Sequence, residues 1–564
     1  MYSLENTIDY IKKAVKDTLI KLIDEKALIG EIFFDFEVEI PAEREHGDLS
    51  TNAALILAKN FKMPPRKIAE MIVNNLIVDK NLIEKVEIAG PGFINFFLGI
   101  KFFSDTLKEI KKAGENYGVS NYGQNKKVMI EFVSANPTGP MHMGNARLGA
   151  LGDCLSSILQ KVGYNVYKEF YVNDAGNQIE KFGLSLDIRY EQICKGKDYV
   201  EIPEDCYQGE DITELSQQFF DIYSNKYINE SQEVRKKTLV DFALPKNILR
   251  MKQDMGKYKI FYDNWFYESS LYESGEVDRI INLLTEKGLT YEIDGCVWFK
   301  ATMFGCEKDE VLRRKNGIPT YFAADVAYHY NKFAVREFDV CIDIWGADHH
   351  GHVARMKSAM EALGIDKERL HVILVQLVRL IQNGEVVRMS KRTGKTVQLS
   401  DLIYEVGTDA ARFIFNIHEA GSGMDFDLDL AVKHDSQNPV YYVQYAFARI
   451  CSVFKQLNDE IRFEFEKSEA DLNLLSSESE KKLIYFMASY PLELLKSAMN
   501  YDSTKVTRYA ITLATLFHKF YSSCKIISED KNLMYARLTL CSCLQIIIKN
   551  ILNILKVEAP EVMN

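Results

Sequence analysis

The stretch "VMIEFVSANPTGPMHMGNARLGALGD", Val128 to Asp153, decides how the chain is read. It opens on a largely apolar run, Val128 to Val133, that suits a buried strand. It leaves in a helical pattern, with Leu148, Leu151, Leu155, Ile158, Leu159 and Val162 recurring at helix spacing. Between the two sit Pro, Gly and small polar residues, with His142, Gly144 and Asn145 at the turn. A strand that passes straight into a helix is the unit of a parallel α/β sheet. Free backbone N–H groups and the helix dipole at such a turn favour phosphate. Gly144 lets a ligand approach the backbone without meeting a Cβ. His142 and Asn145 add side-chain hydrogen bonds. The competing reading of these letters is a tight turn with an incidental histidine.

Outward from this hinge, short apolar runs alternate with helical patterns, as in "DVCIDIW" and "HVILVQLV". This is the texture of a doubly wound parallel sheet. We therefore expect a Rossmann-type catalytic domain over residues 120–435, with a long charged insertion at about 183–310. Residues 1 to about 115 read as a small α+β domain, closed by the polar break "GENYGVSNYGQNKK". From 436 to 564 strand signals vanish and long helical patterns predict an all-α domain.

The chain has 564 residues, 47% hydrophobic and 26% charged, which describes a globular protein with a large core. No uninterrupted apolar run reaches the roughly 18 residues that span a bilayer, so no membrane partner is expected. The amphipathic start "MYSLENTIDYIKKAVKDTLIKLIDEK" reads as neither signal nor transit peptide. Ten cysteines are scattered without a Cys-x-x-Cys pair, which fits a reducing cytoplasm and gives no zinc signature. The net charge of −11 argues against a uniformly RNA-binding surface, though a local basic stripe can still neutralise phosphates.

A second phosphate element is "GEVVRMSKRTGKTVQL", Gly384 to Leu399, which gathers Arg388, Lys391, Arg392 and Lys395 around Ser390, Thr393 and Gly394. A basic loop after an apolar strand suits closure over a polyphosphate, with lysine as a mobile point charge. Taken alone, the motif reads first as a solvated basic loop.

Together, "HMGN" and "RMSKR" resemble the two ATP-binding motifs of class I aminoacyl-tRNA synthetases, in the right order. "YVNDAGNQI", "PTYFAADVAYH", "WGADHHGHVARM", "NPVYYVQYAFARI" and the terminal "APEVM" narrow the resemblance to bacterial arginyl-tRNA synthetases over nearly the whole chain. The resemblance implies ATP-dependent activation of L-arginine and its transfer to tRNA(Arg), with Mg2+ accompanying ATP. It implies catalytic roles for His142, Asn145 and Lys391. ATP would be held by Ala135, Asn136, Pro137, Thr138, Gly139, Pro140, Met141, His142, Met143, Gly144, Asn145, Gly346, Asp348, His352, Met389, Ser390 and Lys391. A cytoplasmic monomer is expected. Where the commonest family pattern has a second histidine, this chain has Asn145, which can donate a hydrogen bond without charge.

Physical chemistry also favours arginine. Glu131 interrupts an apolar strand, and a buried carboxylate needs a cation or good hydrogen bonds. With no lysine or arginine on its C-terminal side before Arg147, a substrate cation is one candidate partner and a solvated strand face the alternative. Tyr321 and Asp325 lie at i and i+4, on one helix face in an alanine-rich setting. A guanidinium presents a planar fork that matches a carboxylate. By resemblance Tyr321 and Asp325 read the side chain of arginine, while Glu131 and Asn136 hold its amino end. His349, His350 and His352 invite a metal hypothesis, but their spacing gives no second ligand cluster and no zinc is expected. The resemblance also gives the N-terminal domain to the tRNA elbow, through Phe93 and Asn95, and the helical domain to the anticodon, through Tyr441 and Tyr445. Core packing for Tyr441, Tyr442, Tyr445 and Phe447, and a strand hydrogen bond for Asn95, are the alternatives. A lysine- or cysteine-specific relative, or a catalytically silent tRNA-binding protein, are the rival functions.

Overall fold

A computed structural model describes residues 3–29, 35–41, 43–387 and 397–563. Met389, Ser390 and Lys391 lie outside the described residues. The N-terminal segment builds an antiparallel sheet in the order Val38–Glu39, Leu49–Thr51, Phe93–Leu98, Ile83–Ala89. Helices Ser3–Asp24, Ala53–Phe61, Pro65–Asn75 and Ile100–Ala113 accompany it. Pro65 stands at the first helical position, where its missing N–H costs nothing.

The strand Lys127–Phe132 lies at the centre of a five-stranded sheet whose pairings are all parallel. Asn165–Val172 and then Asn264–Tyr267 extend it on one side, and Val340–Gly346 and then Leu370–Val375 on the other. The order of connection therefore reverses between Lys127–Phe132 and Val340–Gly346. At such a switch point a crevice opens beyond the carboxyl ends of the strands, where open α/β sheets bind ligands. Helix Met143–Lys161 follows the central strand and buries Ala150, Cys154, Leu155, Ile158 and Leu159.

The interval expected as an insertion contains a strand of the parallel sheet. Helices Asn177–Lys195, Glu210–Tyr223 and Gln232–Lys257 share a core of Phe182, Leu186, Tyr190, Phe219 and Leu239. The chain then supplies the edge strand Asn264–Tyr267 before a small antiparallel sheet of Thr290–Ile293, Cys296–Phe299 and Glu310–Arg313. The charged surface of the helices masked the strand in the sequence pattern.

After the last strand, Met424–Asp427, the described chain is helical. Its longest C-terminal helix, Lys531–Leu555, is long and apolar enough by composition to cross a membrane, yet 72% of its most apolar window is buried inside the protein. It is a core helix. Burial by neighbouring helices, rather than lipid, accounts for its hydropathy.

Candidate active site

A cavity of about 1100 Å³ opens at the switch point. One end is formed by the hinge: Ala135, Asn136, Thr138, Gly139, Pro140, His142, Met143, Gly144 and Asn145 line it. The hinge is strained where it leaves the sheet. Val133 has φ +73 and Ser134 φ +40, a left-handed backbone that is costly for a β-branched residue. Ser134 is held on both sides, donating through Oγ to Glu131 Oε1 at 2.9 Å and accepting from the Tyr171 N–H at 3.1 Å.

His142 caps helix Met143–Lys161. Its Nδ1 accepts from the Gly144 N–H at 3.1 Å, while its own N–H donates to Asn145 Oδ1 at 2.9 Å. The ring is thus assigned as the neutral tautomer with its proton on Nε2. The surrounding protein lowers its pKa by desolvation, which acts in the same direction. The cap therefore occupies His142 Nδ1 and leaves Nε2 free of it, and Asn145 uses its oxygen in the cap, leaving Nδ2 for a donor role. Gly144 also has a different task. A Cβ there would lie 3.0 Å from His142 Cε1, so glycine makes room for the histidine ring itself.

Pro137 and Met141 are buried beneath the hinge, where the Pro137 carbonyl accepts from Asn247 Nδ2 at 3.0 Å. The exit from the basic loop is fastened to the same place. The Met143 N–H donates to the Val397 carbonyl at 3.1 Å and the Leu399 N–H to the Met141 carbonyl at 2.9 Å. The two sequence elements read as phosphate-binding are therefore joined by backbone hydrogen bonds at the cavity.

The opposite end is acidic. Tyr321 and Asp325 project from helix Tyr321–Tyr330 into the cavity. The Tyr321 hydroxyl accepts from the Asn177 N–H, a close approach that needs Gly176, whose φ is +74 and whose Cβ would stand 2.8 Å from the ring. Asp325 Oδ2 lies 3.0 Å from His352 Nε2. His352 thus faces the acidic end, whereas Gly346 and Asp348, expected alongside it, line the cavity itself. Among the described residues the three histidines do not converge; His349 lies 3.7 Å from Asp348 instead.

Sequence reasoning missed Glu268, which is 2% exposed and lines the cavity directly after the strand Asn264–Tyr267. Burial, and then the charge of Asp325, raise its pKa to about 7. The carboxylate closing the aromatic run "NWFYESS" was a usable signal, of the kind that singled out Glu131. Lys332 was missed as well. It is fully buried and places Nζ 2.7 Å from Glu131 Oε2 and 2.8 Å from Asp343 Oδ1. Glu131 is therefore buried rather than on a solvated strand face, and its cation comes from this chain, 201 residues away in sequence.

The RNA candidates separate. Phe93 is 37% exposed, but Asn95 is 4% exposed and its Oδ1 accepts from Ser50 Oγ at 2.7 Å. The amide is used inside the sheet, which removes Asn95 as a surface contact. Phe447 is core, while Tyr441 and Tyr445 are partly exposed with rings stacked at 6.0 Å.

A parallel sheet with a histidine-capped hinge at its switch point, to which Val397 and Leu399 are fastened, is the architecture of a class I aminoacyl-tRNA synthetase catalytic domain. Residues 106–420 match the family described as tRNA synthetases class I (R), catalytic domain. Residues 9–98 match the arginyl tRNA synthetase N terminal domain and 443–563 the DALR anticodon binding domain. The chain belongs to the arginyl-tRNA synthetase family. It is 54% identical to an arginine–tRNA ligase of Caldanaerobacter subterraneus, over 99% of this chain and 100% of the relative. A crystal structure of a putative arginyl-tRNA synthetase from Campylobacter jejuni superposes with TM-score 0.75 at 34% identity, covering 83% of this chain and 100% of that one. The Thermus thermophilus enzyme shares the fold with TM-score 0.76 at 18% identity, over 99% and 100% of the two chains.

Proposed function

We propose that this arginine–tRNA ligase reads the guanidinium of its amino acid with Asp325 and Glu268, with Tyr321 fixing the plane of the fork, and seats ATP at the His142 hinge. The arrangement of the cavity supports this most directly: Asp325 and Glu268 stand with Tyr321 at one end, and the His142 ring stands at the other. A guanidinium supplies five donors in a plane, so two carboxylates and a phenol oxygen can all be satisfied at once. A lysine ammonium would use the charge but not the planar geometry.

In the first step an oxygen of the arginine carboxylate attacks the α-phosphorus of ATP, and the bond to the leaving pyrophosphate breaks. In the second, a terminal ribose hydroxyl of tRNA takes the arginyl group and AMP leaves. Neither step needs a protein nucleophile. The chain supplies positioning and stabilisation of growing negative charge by His142 Nε2–H and Lys391. Mg2+ fits as a companion of ATP, because Asp211 and Asp348 offer hard oxygen donors at the cavity wall. When bound, it would neutralise phosphate charge. Tyr441 and Tyr445 offer a stacking platform for unpaired bases of tRNA, and Phe93 offers an exposed ring to the elbow. All ten cysteines are free thiols, which supports a cytoplasmic location.

The test is charging of total tRNA with each of the twenty amino acids. Ester formation with arginine alone is expected; charging with lysine or no charging would overturn the reading.

A further inference from the structure

Arg147 follows the hinge in sequence and stands on the buried side of helix Met143–Lys161, among Ala146, Ala150 and Leu151. It is fully buried, and a buried cation is costly unless it is well partnered. Its partners are not acids. Nη1 donates to the Gln376 carbonyl at 2.8 Å, and Nη2 donates to the carbonyls of Glu419 and Ser422, each at 2.9 Å. Burial lowers its pKa to about 10, which leaves the side chain charged at neutral pH.

The place of those carbonyls explains the arginine. Strand Leu370–Val375 keeps register with Val340–Gly346 as far as the pair of Val375 and Gly346. From Val378 the same segment pairs instead with Met424–Asp427, in a second sheet. Gln376 and Leu377 lie in the step between the two ladders. The Gln376 N–H donates to the Ala420 carbonyl at 2.9 Å, and the Leu377 carbonyl accepts from the Met424 N–H at 3.3 Å. The Gln376 carbonyl is taken by Arg147. Buried carbonyls need donors, and a guanidinium presents several in a rigid fork, so one side chain serves both strand entries at once. Arg147 thereby bolts the step between the sheets to the helix that His142 caps.

That step is a wall of the cavity. Gln376, Leu377 and Val378 line it, together with His142 and Asn145 of the hinge. Strand Leu370–Val375 is the edge of the parallel sheet opposite Asn264–Tyr267, so this wall stands away from Glu268. Leu377 is 83% exposed there. A lone exposed leucine is ordinary. One presented on the wall of a ligand cavity by a pinned backbone offers apolar cover to a flat ring.

We infer that Arg147 is a positioning residue for the nucleotide: it holds residues 376–378 at a set distance from the His142 hinge, so that Leu377 covers the base of ATP. The inference rests on the reading that seats ATP at this hinge. It makes the effect of Arg147 on ATP run through Leu377, which a residue that only stabilises the fold would not do.

A double-mutant cycle in the full-length enzyme tests it. Arg147→Lys keeps the charge but loses the fork, and Leu377→Ala removes the cover. The KM for ATP and the KM for arginine are measured in tRNA-dependent arginylation, with folding checked by circular dichroism. Leu377→Ala should raise the KM for ATP about three- to tenfold and Arg147→Lys about tenfold, each with less than about a threefold change for arginine. In the Leu377→Ala background, Arg147→Lys should add less than about threefold to the KM for ATP. Effects that multiply in full, equal losses for ATP and arginine, or an ATP KM untouched by Leu377→Ala would each overturn the proposal. Should Arg147→Lys fail to fold, Arg147→Gln takes its place in the cycle, and Leu377→Ala, at an exposed position, still decides whether the wall meets the nucleotide. A wild-type chain that charges no arginine would instead overturn the functional reading.

Discussion

Two buried ion clusters brace the catalytic sheet, and they join different parts of the chain. At the back of helix Met143–Lys161, Asp153 meets two cations: Lys168 Nζ at 3.0 Å and Arg412 Nη2 at 2.6 Å. Arg412 donates further to the carbonyls of Leu555 and Tyr258, at 2.8 and 2.9 Å. This cluster has more donors than charges to satisfy, and it ties the last long helix of the chain to the catalytic helix. In the sheet, Glu131 and Asp343 share Lys332, and His329 Nε2 lies 2.7 Å from Asp343 Oδ2. The first cluster clamps distant segments together; the second holds the strand that leads into the hinge.

The largest effect should come from breaking the clamp. Arg412→Met leaves Asp153 with Lys168 alone and strips two buried carbonyls of their donor, so about 3–5 kcal/mol of stability should be lost. Denaturant unfolding measures it, while kcat per folded molecule should hold. A stable but inactive variant would contradict the division between clamp and site.

Next comes the acidic end of the cavity itself. Asp325→Asn removes one charged hydrogen-bonding partner of the guanidinium, worth roughly 1.5–3 kcal/mol. The expected result is a loss of about 10- to 150-fold in kcat/KM for arginine, with the ATP dependence intact. An unchanged arginine KM would remove Asp325 from the recognition set.

A pH series sharpens the same comparison. Glu268 has its pKa raised to about 7, so it is half neutral near pH 7 in the empty cavity and ionised above it. Only the ionised form pairs fully with a guanidinium. The KM for arginine should therefore fall as pH rises from 6 through 7 and level off above about 8. In Glu268→Gln that dependence should vanish. A wild-type KM that is flat across the range would show that Glu268 does not face the substrate.

The smallest effect belongs to the cap. Asn145→Ala leaves the His142 N–H without its acceptor and should cost about 0.5–2 kcal/mol, the range of helix-capping interactions. Asn145→His should be tolerated, because Nδ1 of the new ring can accept the same N–H. His142→Ala, which removes the phosphate donor, should slow adenylate formation more than Asn145→Ala does. Rapid-quench measurement of adenylate formation with tRNA present ranks the three variants.

Much of this arrangement was legible along the chain. The apolar run, the glycine-rich turn and the helix after it predicted a parallel sheet, and such a hinge lies where a sheet of this kind opens its crevice. Tyr321 and Asp325 were legible because i and i+4 fix one helix face whatever the surroundings. Asn95 was not, because period-2 alternation tells which side of a strand a residue takes but not whether that side is covered. Glu268 was hidden because its strand returns to the sheet after three charged helices that pack among themselves.

What the sequence by itself determined was local: strand-to-helix hinges, helix faces, the order of the two phosphate elements and the carboxylates lodged in apolar strands. Only the tertiary structure decided which charges meet. Parallel register sets Asp343, Glu131 and Glu169 side by side, and a π-helical turn delivers Lys332, 201 residues from Glu131, between the first two. Local patterns follow from backbone geometry repeated every two or 3.6 residues. Charge balance depends on contacts between distant segments, and no period along the chain encodes it.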